Sequence, residues 1–591
     1  MEEDRPSGTG ENDISDDLRF SPRPNRAHEI NWQPWGGKAF KRAAVEDKPV
    51  LLSISAVWCH WCHVMDETSY SDTEVIDLVN DRYVPIRIDS DRNPDINRRY
   101  NQGGWPTTAF LSSEGQLLAG ATYVAPEAMR KALERISELY GENSVEIEEP
   151  AGEALLPDVA EVELSLDQVR EAGSLLLKSW DRTYGGLGTA PKFPQVDAVS
   201  LALELFSDEG EREYLHLVRN TLEAMIRGNL LDKVEGGFFR YSTTRDWSIP
   251  HYEKMLAGNA ALISLLIKAY SLTAEEIYRR TAAETAEYVR STLSDGESRF
   301  YGSQDADEEY YLLKVEEREK LTPPPVDKTV YTDLASQAAV AFMEAGLLLR
   351  RQDYTDLAHS SLDFLWSDCY LEGEGLAHYH NGEPRRWGLL EDQASAAKAY
   401  LQAYGYSGRE DYLRRAEKLL RLVVSNHWDD GAGVLYDTAE RHALAGLKPE
   451  PADINIQALA AEAMLHYWAL SGEEDWRELA GRILANAAWS LASFGVLAAP
   501  YIKTVNMYLR GPVLVKITGT AADKAQVFLR TSLLSPFARL IPLLSGKDIG
   551  EGDVEAEVCT TEACQLHTKD LNILAEHLEV GPDVLKGGKM S

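Results

Sequence analysis

Cysteine is scarce in this chain: 591 residues carry five, Cys59, Cys62, Cys369, Cys559 and Cys564. An odd, sparse set in a chain this long excludes a disulfide framework as the basis of the fold and fits a reducing compartment. Positive charge is also short. Sixty Lys and Arg face 95 Asp and Glu, for a formal net charge of −35. Phosphate binding needs basic patches, so nucleic acid is not an expected partner, and neither is an anionic membrane surface. Long hydrophobic runs are missing as well. No uninterrupted apolar run approaches the roughly 18 residues of a membrane span, and Met1 to Asp17 is acidic, without the apolar segment of a signal peptide. A soluble, cytoplasmic protein is the expectation. The acidic excess is spread along the whole chain, as on a solvated surface suited to high salt.

What is present divides the chain. At 591 residues two to four domains are expected. Residues 1–26 are polar and read as a disordered arm. Residues 27–142 follow an α/β order: a helix at Ala39–Glu46, a buried strand at Val50–Ser55, helices at His63–Ser69 and Thr73–Asn80, and an alternating strand at Tyr83–Asp89. A strand at Trp105–Leu111, its hairpin return at Gln116–Gly120 and a helix at Ala125–Tyr140 complete it. That is the order of a thioredoxin-like fold. Residues 143–163, rich in Glu and Pro, read as a linker.

From 164 to 510 helical segments recur in pairs: 165–180, 195–207, 211–230, 251–270, 274–293, 330–350, 353–367, 390–406, 410–427, 453–470 and 474–491. The loops between them resemble one another, as in Trp180-Asp181-x-x-Tyr184-Gly185-Gly186, Glu235-Gly236-Gly237-Phe238, Phe300-Tyr301-Gly302 and Trp428-Asp429-Asp430-Gly431. Such repetition marks an internally repeated helical array. Eleven or twelve helices predict closure into an (α/α)6 toroid with its long loops at one end. Residues 511–580 read as a small α/β C-terminal unit, and 581–591 as a frayed tail.

The sharpest chemical signal is Trp58-Cys59-His60-Trp61-Cys62-His63. Two thiols three residues apart, after a buried strand and at a helix start, favour a thiolate on the first. The helix dipole and unpaired N–H groups stabilise it, and a protonated His60 would add to this. Cys59 is thus the expected nucleophile, Cys62 the resolving thiol, and Trp58 a shield. A zinc half-site, with His60 and His63 beside the thiols, and a relic dithiol are the alternatives. Pro106, in Gly104-Trp105-Pro106-Thr107 before a strand, stands where thioredoxin folds place a cis-proline facing the thiols, so a cis Trp105–Pro106 bond is expected. Ordinary thioredoxins bury an acid six residues before the first cysteine; Ser53 stands there instead.

These motifs resemble a known family. Asn31-Trp32-x-x-Trp35-Gly36, Lys48-Pro49, Cys59 to Met65, Asp95-Ile96 and Gly103 to Pro106 are similar to the thioredoxin-like domain of the spermatogenesis-associated protein 20 family. Further along, Tyr184-Gly185-Gly186, Ala190-Pro191-Lys192-Phe193-Pro194, Gly236 to Ser242, Pro250 to Leu256, Gln304 to Asp307 and Cys559-x4-Cys564 resemble the rest of that family. The resemblance implies a thioredoxin-like domain fused to a six-hairpin toroid like those of glycosidases and N-acylglucosamine 2-epimerase, and supplies no firm activity.

In the helical region Ser248 to Glu253 reads as a helix start, with Ser248 capping and Pro250 in the first turn. His251 would then share a face with Met255 and Asn259, its imidazole kept neutral by the dipole. Glu253, Lys254, Arg240, Tyr241, Asp246, Asp305 and Asp307 complete a candidate ring-mouth site for sugar hydroxyls, with paired carboxylates for acid–base work. Solvation of an acidic surface accounts for the same clusters equally simply. Cys559 and Cys564 are candidate secondary thiols, either a relay or two unremarkable thiols, and Cys369 reads as core. Neither a resident metal nor a cofactor is expected. Three functions remain open: thiol–disulfide exchange with a protein dithiol or disulfide, a carbohydrate isomerase or hydrolase taking a sugar-like ligand, and a non-catalytic scaffold.

Overall fold

The computed structural model describes residues 20–142, 162–443, 447–537, 539–546, 553–582 and 584. The arm before residue 20, most of the expected linker and all but three residues of the expected tail lie outside these. Two compact units form: Met1–Leu155 with Ala443–Lys448, and Leu156–His442 with Pro449–Ser591.

The smaller unit runs α1 (Gly37–Glu46), β1 (Val50–Ser55), α2 (His60–Glu67), α3 (Thr73–Arg82), β2 (Val84–Asp89), α4 (Pro94–Tyr100), β3 (Thr107–Leu111), β4 (Leu117–Ala121) and α5 (Pro126–Gly141). The sheet order is β2-β1-β3-β4. β1 is parallel to β2 and antiparallel to β3, with Ile54 opposite Thr107. Every residue of β1 is buried, which is why the run Val-Leu-Leu-Ser-Ile-Ser reads as continuous rather than alternating. This is a thioredoxin-like fold. α2 begins three residues earlier than its apolar pattern suggests, because Cys59 caps it.

In the larger unit, among the described residues, twelve long helices lie between residues 166 and 510: α6 (Leu166–Ser179), α7 (Val196–Glu209), α8 (Arg212–Arg227), α9 (Leu256–Thr273), α10 (Glu276–Thr292), α11 (Thr332–Leu349), α12 (Gln352–Phe364), α13 (Leu390–Ser407), α14 (Glu410–His427), α15 (Ile454–Ser471), α16 (Glu474–Ala487) and α17 (Ala499–Arg510). α7, α9, α11, α13, α15 and α17 each pack on the next, and α17 packs back on α7. The ring is closed, an (α/α)6 toroid. Its sixth hairpin joins α17, absent from the eleven segments read in the sequence, to the first helix, α6.

α9, α11, α13 and α15 are covered on all sides and lack an amphipathic stripe. α9 is long and apolar enough to cross a membrane by length and composition, yet Leu256, Ile263, Leu266 and Tyr270 are buried within the ring. Each of the first five inner helices ends on a left-handed residue: Gly210, Ala274, Arg350, Gly408 and Gly472, with φ between 58° and 77°. That cap turns the chain at once into its outer partner, so the long loops collect at the opposite end, where the inner helices begin.

After the ring, β5 (Val513–Gly519), α18 (Ala522–Leu533), β6 (Leu540–Ser545), β7 (Val554–Cys559), β8 (Cys564–Thr568) and α19 (Leu571–His577) form a second small sheet. Its order, β6-β5-β7-β8, and its strand directions repeat those of the thioredoxin-like sheet. It closes the C-terminal end of the inner helices. Lys268 Nζ donates to the Ser535 carbonyl at 2.8 Å and Ser207 Oγ to that of Pro536 at 2.8 Å. The Pro542 carbonyl comes so close to Gly405 that a Cβ there would lie 2.4 Å from it.

Each inner helix sends one charged side chain toward the ring's centre. Glu204, Lys268, Glu344, Lys398, Glu462 and Lys503 alternate in sign around it, each acting electrostatically on its neighbours. Lys398 Nζ reaches Glu462 at 2.8 Å. Burial raises the Glu204 carboxyl to about 7 against the pull of Lys503 and lowers the Lys268 ammonium to about 8. Burial also opposes ionisation of Glu462, yet Lys398, His466 and Lys503 hold it at about 2. A carboxyl raised from an unfolded value of 4.5 favours folding below that pH, and the contribution is lost as pH rises through 7. Glu204→Gln is therefore expected to remove about 2–3 kcal/mol of the fall in unfolding free energy between pH 4.5 and 7. Urea denaturation at both pH values checks this, and equal pH slopes in variant and parent would refute it.

Candidate functional site

Cys59 is the N-cap of α2. Its Sγ accepts the Cys62 N–H at 3.1 Å, and it is disulfide-bonded to Cys62. Its backbone carbonyl accepts from Cys62 N at 3.0 Å and from His63 N at 3.1 Å. The same N–H groups and dipole would stabilise a thiolate after reduction. The two cysteines are 3% and 1% exposed. The Trp105–Pro106 bond is cis, as the motif predicts, and so is Ala190–Pro191. Pro106 precedes Thr107, which pairs with Ile54 at the end of β1, and the Trp105 ring lies 5.6 Å from that of Trp58. The thiol segment and the proline segment thus meet edge to edge.

Two expectations change here. Trp58 is buried, its Nε1 donating to Asp91 Oδ2 at 2.6 Å. The aromatic presented to solvent is Trp61, 49% exposed, beside Tyr123 at 5.6 Å and His60 at 5.8 Å. His63 is held away from a shared metal site, its Nε2 donating to the Val57 carbonyl at 3.0 Å. Burial pushes its imidazole below the usual value. Under the site, Ser53 pairs in register with Arg87, whose guanidinium meets Asp66 of α2 and stacks over Phe20 at 4.7 Å and Trp32 at 5.1 Å. α2 thus carries a buried acid of its own, ion-paired with Arg87. Asp66 carried no distinguishing signal in the sequence.

In the ring the proposed helix start at 248–253 is not helical. Tyr241–Ser242 pairs with Pro250–His251, Lys254–Met255 with Ser303–Gln304, and Arg240 N donates to the Glu253 carbonyl at 2.8 Å. These pairings take up the backbone groups that a helix would need, so α9 begins at Leu256. His251, Met255 and Asn259 do not share a helix face, and the dipole argument for His251 lapses. Ser248 donates to Asp246 Oδ1 at 2.6 Å within an exposed turn, so Asp246 serves the loop. Asp307 caps a short helix, Glu308–Tyr311, by accepting from Tyr310 N at 2.9 Å. Asp305 is buried and accepts from Ala306 N at 2.7 Å. Of the acidic run, Asp307 thus serves as a local cap.

Lys254 is 0% exposed. Its Nζ donates to Asp232 Oδ2 at 2.7 Å and to the Gly236 carbonyl at 2.9 Å, amid Phe239, Tyr288 and Tyr311. One repeat earlier Lys192, also 0% exposed, donates to Asp181 Oδ2 at 2.8 Å and the Gly185 carbonyl at 2.7 Å. The loops match: Asp181 N donates to Gly186 O and Asp232 N to Gly237 O. The Asp-x3-Gly-Gly motifs, each with its later lysine, are thus a repeated structural clamp.

What stays together at the mouth is a stack. Phe193 lies on Tyr241 at 4.6 Å and Tyr241 on His251 at 4.9 Å. Glu253 stands between Arg240 Nη1 at 3.1 Å and His251 Nδ1 at 3.3 Å. A second polar group was missed in the sequence. His378 Nδ1 lies 3.0 Å and 3.1 Å from the two carboxylate oxygens of Asp392, close to Asp333. Burial, with Glu391 and Asp392 nearby, raises the Asp333 carboxyl to about 7, His378 opposing. Cys559 and Cys564 are disulfide-bonded across the β7–β8 hairpin, at the edge of the C-terminal sheet. Cys369 is buried, as expected, and its thiol is pushed up to about 12 by burial.

A family model described as a protein of unknown function, DUF255 (Thioredox_DsbH), matches residues 23–156. Human spermatogenesis-associated protein 20 is 32% identical over 337 residues, 50% of this chain and 43% of that protein. The rat protein of the same name is 31% identical over 526 residues, 77% of this chain and 66% of that protein. This chain belongs to the spermatogenesis-associated protein 20 family. It spans from under half to about two thirds of the length of these curated relatives. Among solved structures, a sugar epimerase from a ruminal bacterium is similar with a TM-score of 0.45 at 15% identity, covering 54% of this chain and 86% of that one.

Within this family fold, Asp232 should matter for stability. It compensates Lys254 and Arg318, whose Nη1 lies 2.7 Å from Oδ2, and all three are under 5% exposed. Asp232→Asn is expected to lower the unfolding free energy by about 3–5 kcal/mol by leaving the buried Lys254 ammonium without its ion pair and Arg318 with Glu235 alone. Chemical denaturation checks this, and a loss below about 1 kcal/mol would show that the clamp is not structural.

Proposed function

We propose that this protein is a thiol–disulfide oxidoreductase of the cytoplasm acting through Cys59 and Cys62 on a partner protein's disulfide, with the helical ring holding a polar, sugar-like ligand. The observation that carries the redox reading is Cys59 at the N-cap of α2, its sulfur receiving the Cys62 N–H at 3.1 Å. In the reduced protein the Cys59 thiolate attacks one sulfur of the partner disulfide and expels the other as a thiolate, giving a mixed disulfide. The Cys62 thiol loses its proton and attacks Cys59 Sγ. The partner leaves as a dithiol, two electrons richer, and Cys59–Cys62 is oxidised. Trp61, exposed beside the pair, offers an aromatic surface on which a partner chain would dock. In the ring, the Phe193–Tyr241–His251 stack flanked by Arg240 and Glu253 supports a polyhydroxylated ligand, since such sites combine an apolar face with a few fixed polar groups.

With Cys62→Ala, mixed disulfides should accumulate through Cys59, seen as dithiothreitol-sensitive adducts on non-reducing gels. Cys59→Ser should form none, and reduction of a model disulfide should fall to background in both variants. Unchanged disulfide reduction in Cys59→Ser, or no adduct with Cys62→Ala, would defeat the redox reading and leave the protein as a binder.

A further inference from the structure

Three side chains that the redox reading does not use converge where the inner helices begin. Asp333 is the second residue of α11 and Asp392 the third of α13. His378 lies in the loop before α13, fixed to α11 because its backbone carbonyl accepts the Thr332 N–H at 2.8 Å. One oxygen of Asp333, one ring nitrogen of His378 and one oxygen of Asp392 lie within 4.8 Å of one another. His378 and Asp392 are 4% and 1% exposed.

An independent observation concerns Asp333. Its Oδ1 is buried and has no hydrogen-bond partner. A carboxylate oxygen removed from water with nothing to satisfy it is costly, and a bound ion is one way to satisfy it. We propose that Asp333, His378 and Asp392 bind one divalent transition-metal ion, zinc or manganese.

One imidazole nitrogen and two carboxylate oxygens make a donor set that either ion accepts. The 3.0 Å between His378 Nδ1 and Asp392 Oδ1 is the spacing of adjacent ligands around an octahedral ion with bonds of about 2.1 Å. In the absence of an ion the two groups hydrogen-bond to each other across that gap. Asp333 completes the set by swinging its carboxylate inward, which also satisfies Oδ1. Three protein ligands leave coordination positions open, as in sites where an ion holds water or a substrate oxygen.

The test uses the full chain carrying Cys59→Ser and Cys62→Ser, so that these thiolates cannot take the metal, after treatment with a chelator. Titration with manganese chloride, followed by loss of the free-ion electron paramagnetic resonance signal, and with zinc sulfate by calorimetry, should give one ion per chain for at least one metal. Asp333→Asn should weaken that binding at least about tenfold, with the metal-free melting temperature no lower than the parent's because Oδ1 has no partner to lose. His378→Gln, judged by circular dichroism for folding, should do the same. No stoichiometric binding of either ion, or equal affinity in parent and both variants, would overturn the proposal.

Discussion

The larger unit depends on one constraint: a helix that is apolar all round must be covered all round. The six inner helices, several of them apolar on nearly every side, meet this by closing on one another, which brings α17 back to α6 and α7, from opposite ends of a stretch of more than 300 residues. Much else follows. Left-handed caps at five inner-helix ends keep one set of turns short and send the long loops to the other end. The short-turn end is sealed by the C-terminal sheet, close enough at Gly405 that only a glycine fits. The centre, where no apolar helix could reach, is filled by alternating Glu and Lys, one from each inner helix.

The same physics separates structural charge from chemically useful charge. Lys192 and Lys254 sit in conspicuous motifs, yet each is fully buried and held by an aspartate and a glycine carbonyl, and so is closed to a substrate. Asp246 and Asp307 are spent on turns and caps. The groups left with unused capacity are of another kind. Cys59, once its disulfide is reduced, offers a sulfur at a helix N-terminus, Trp61 an exposed ring, and Asp333 an oxygen with no donor. The two proposed chemistries belong to different units, and each set of groups has a local structural rationale. For the thiols this is strand burial followed by a capped helix. For the ring-mouth groups it is loop pairing that fixes side chains against the first turns of inner helices.

The thioredoxin-like unit was legible because its signals are local. Continuous burial of Val50–Ser55, a CxxC directly after it and Trp-Pro before the next strand fix element order and the reactive pair together. The array of paired helices was legible too, since repeats announce themselves by spacing. Errors came where local preference met long-range pairing. Ser248 and Pro250 are good helix starters, but Ser242 and Tyr241 pair with Pro250 and His251, and Gln304 with Lys254, which draws the segment into strands. Asp66 showed no pattern of its own. It matters because folding sets it against Arg87, opposite Ser53.

The sequence by itself determined the two kinds of unit, the thiol pair with its proline, and the repeated Asp-x3-Gly-Gly loops. All of these are encoded within windows of a few tens of residues. Only the tertiary structure decided ring closure through α17, the charged centre, the repetition of the thioredoxin-like sheet order at the C-terminus, and the meeting of Asp333, His378 and Asp392. Those three stand 45 and 14 residues apart, on a helix, a loop and the next inner helix. No spacing rule joins them. They meet because adjacent inner helices of a closed ring bring their first turns side by side.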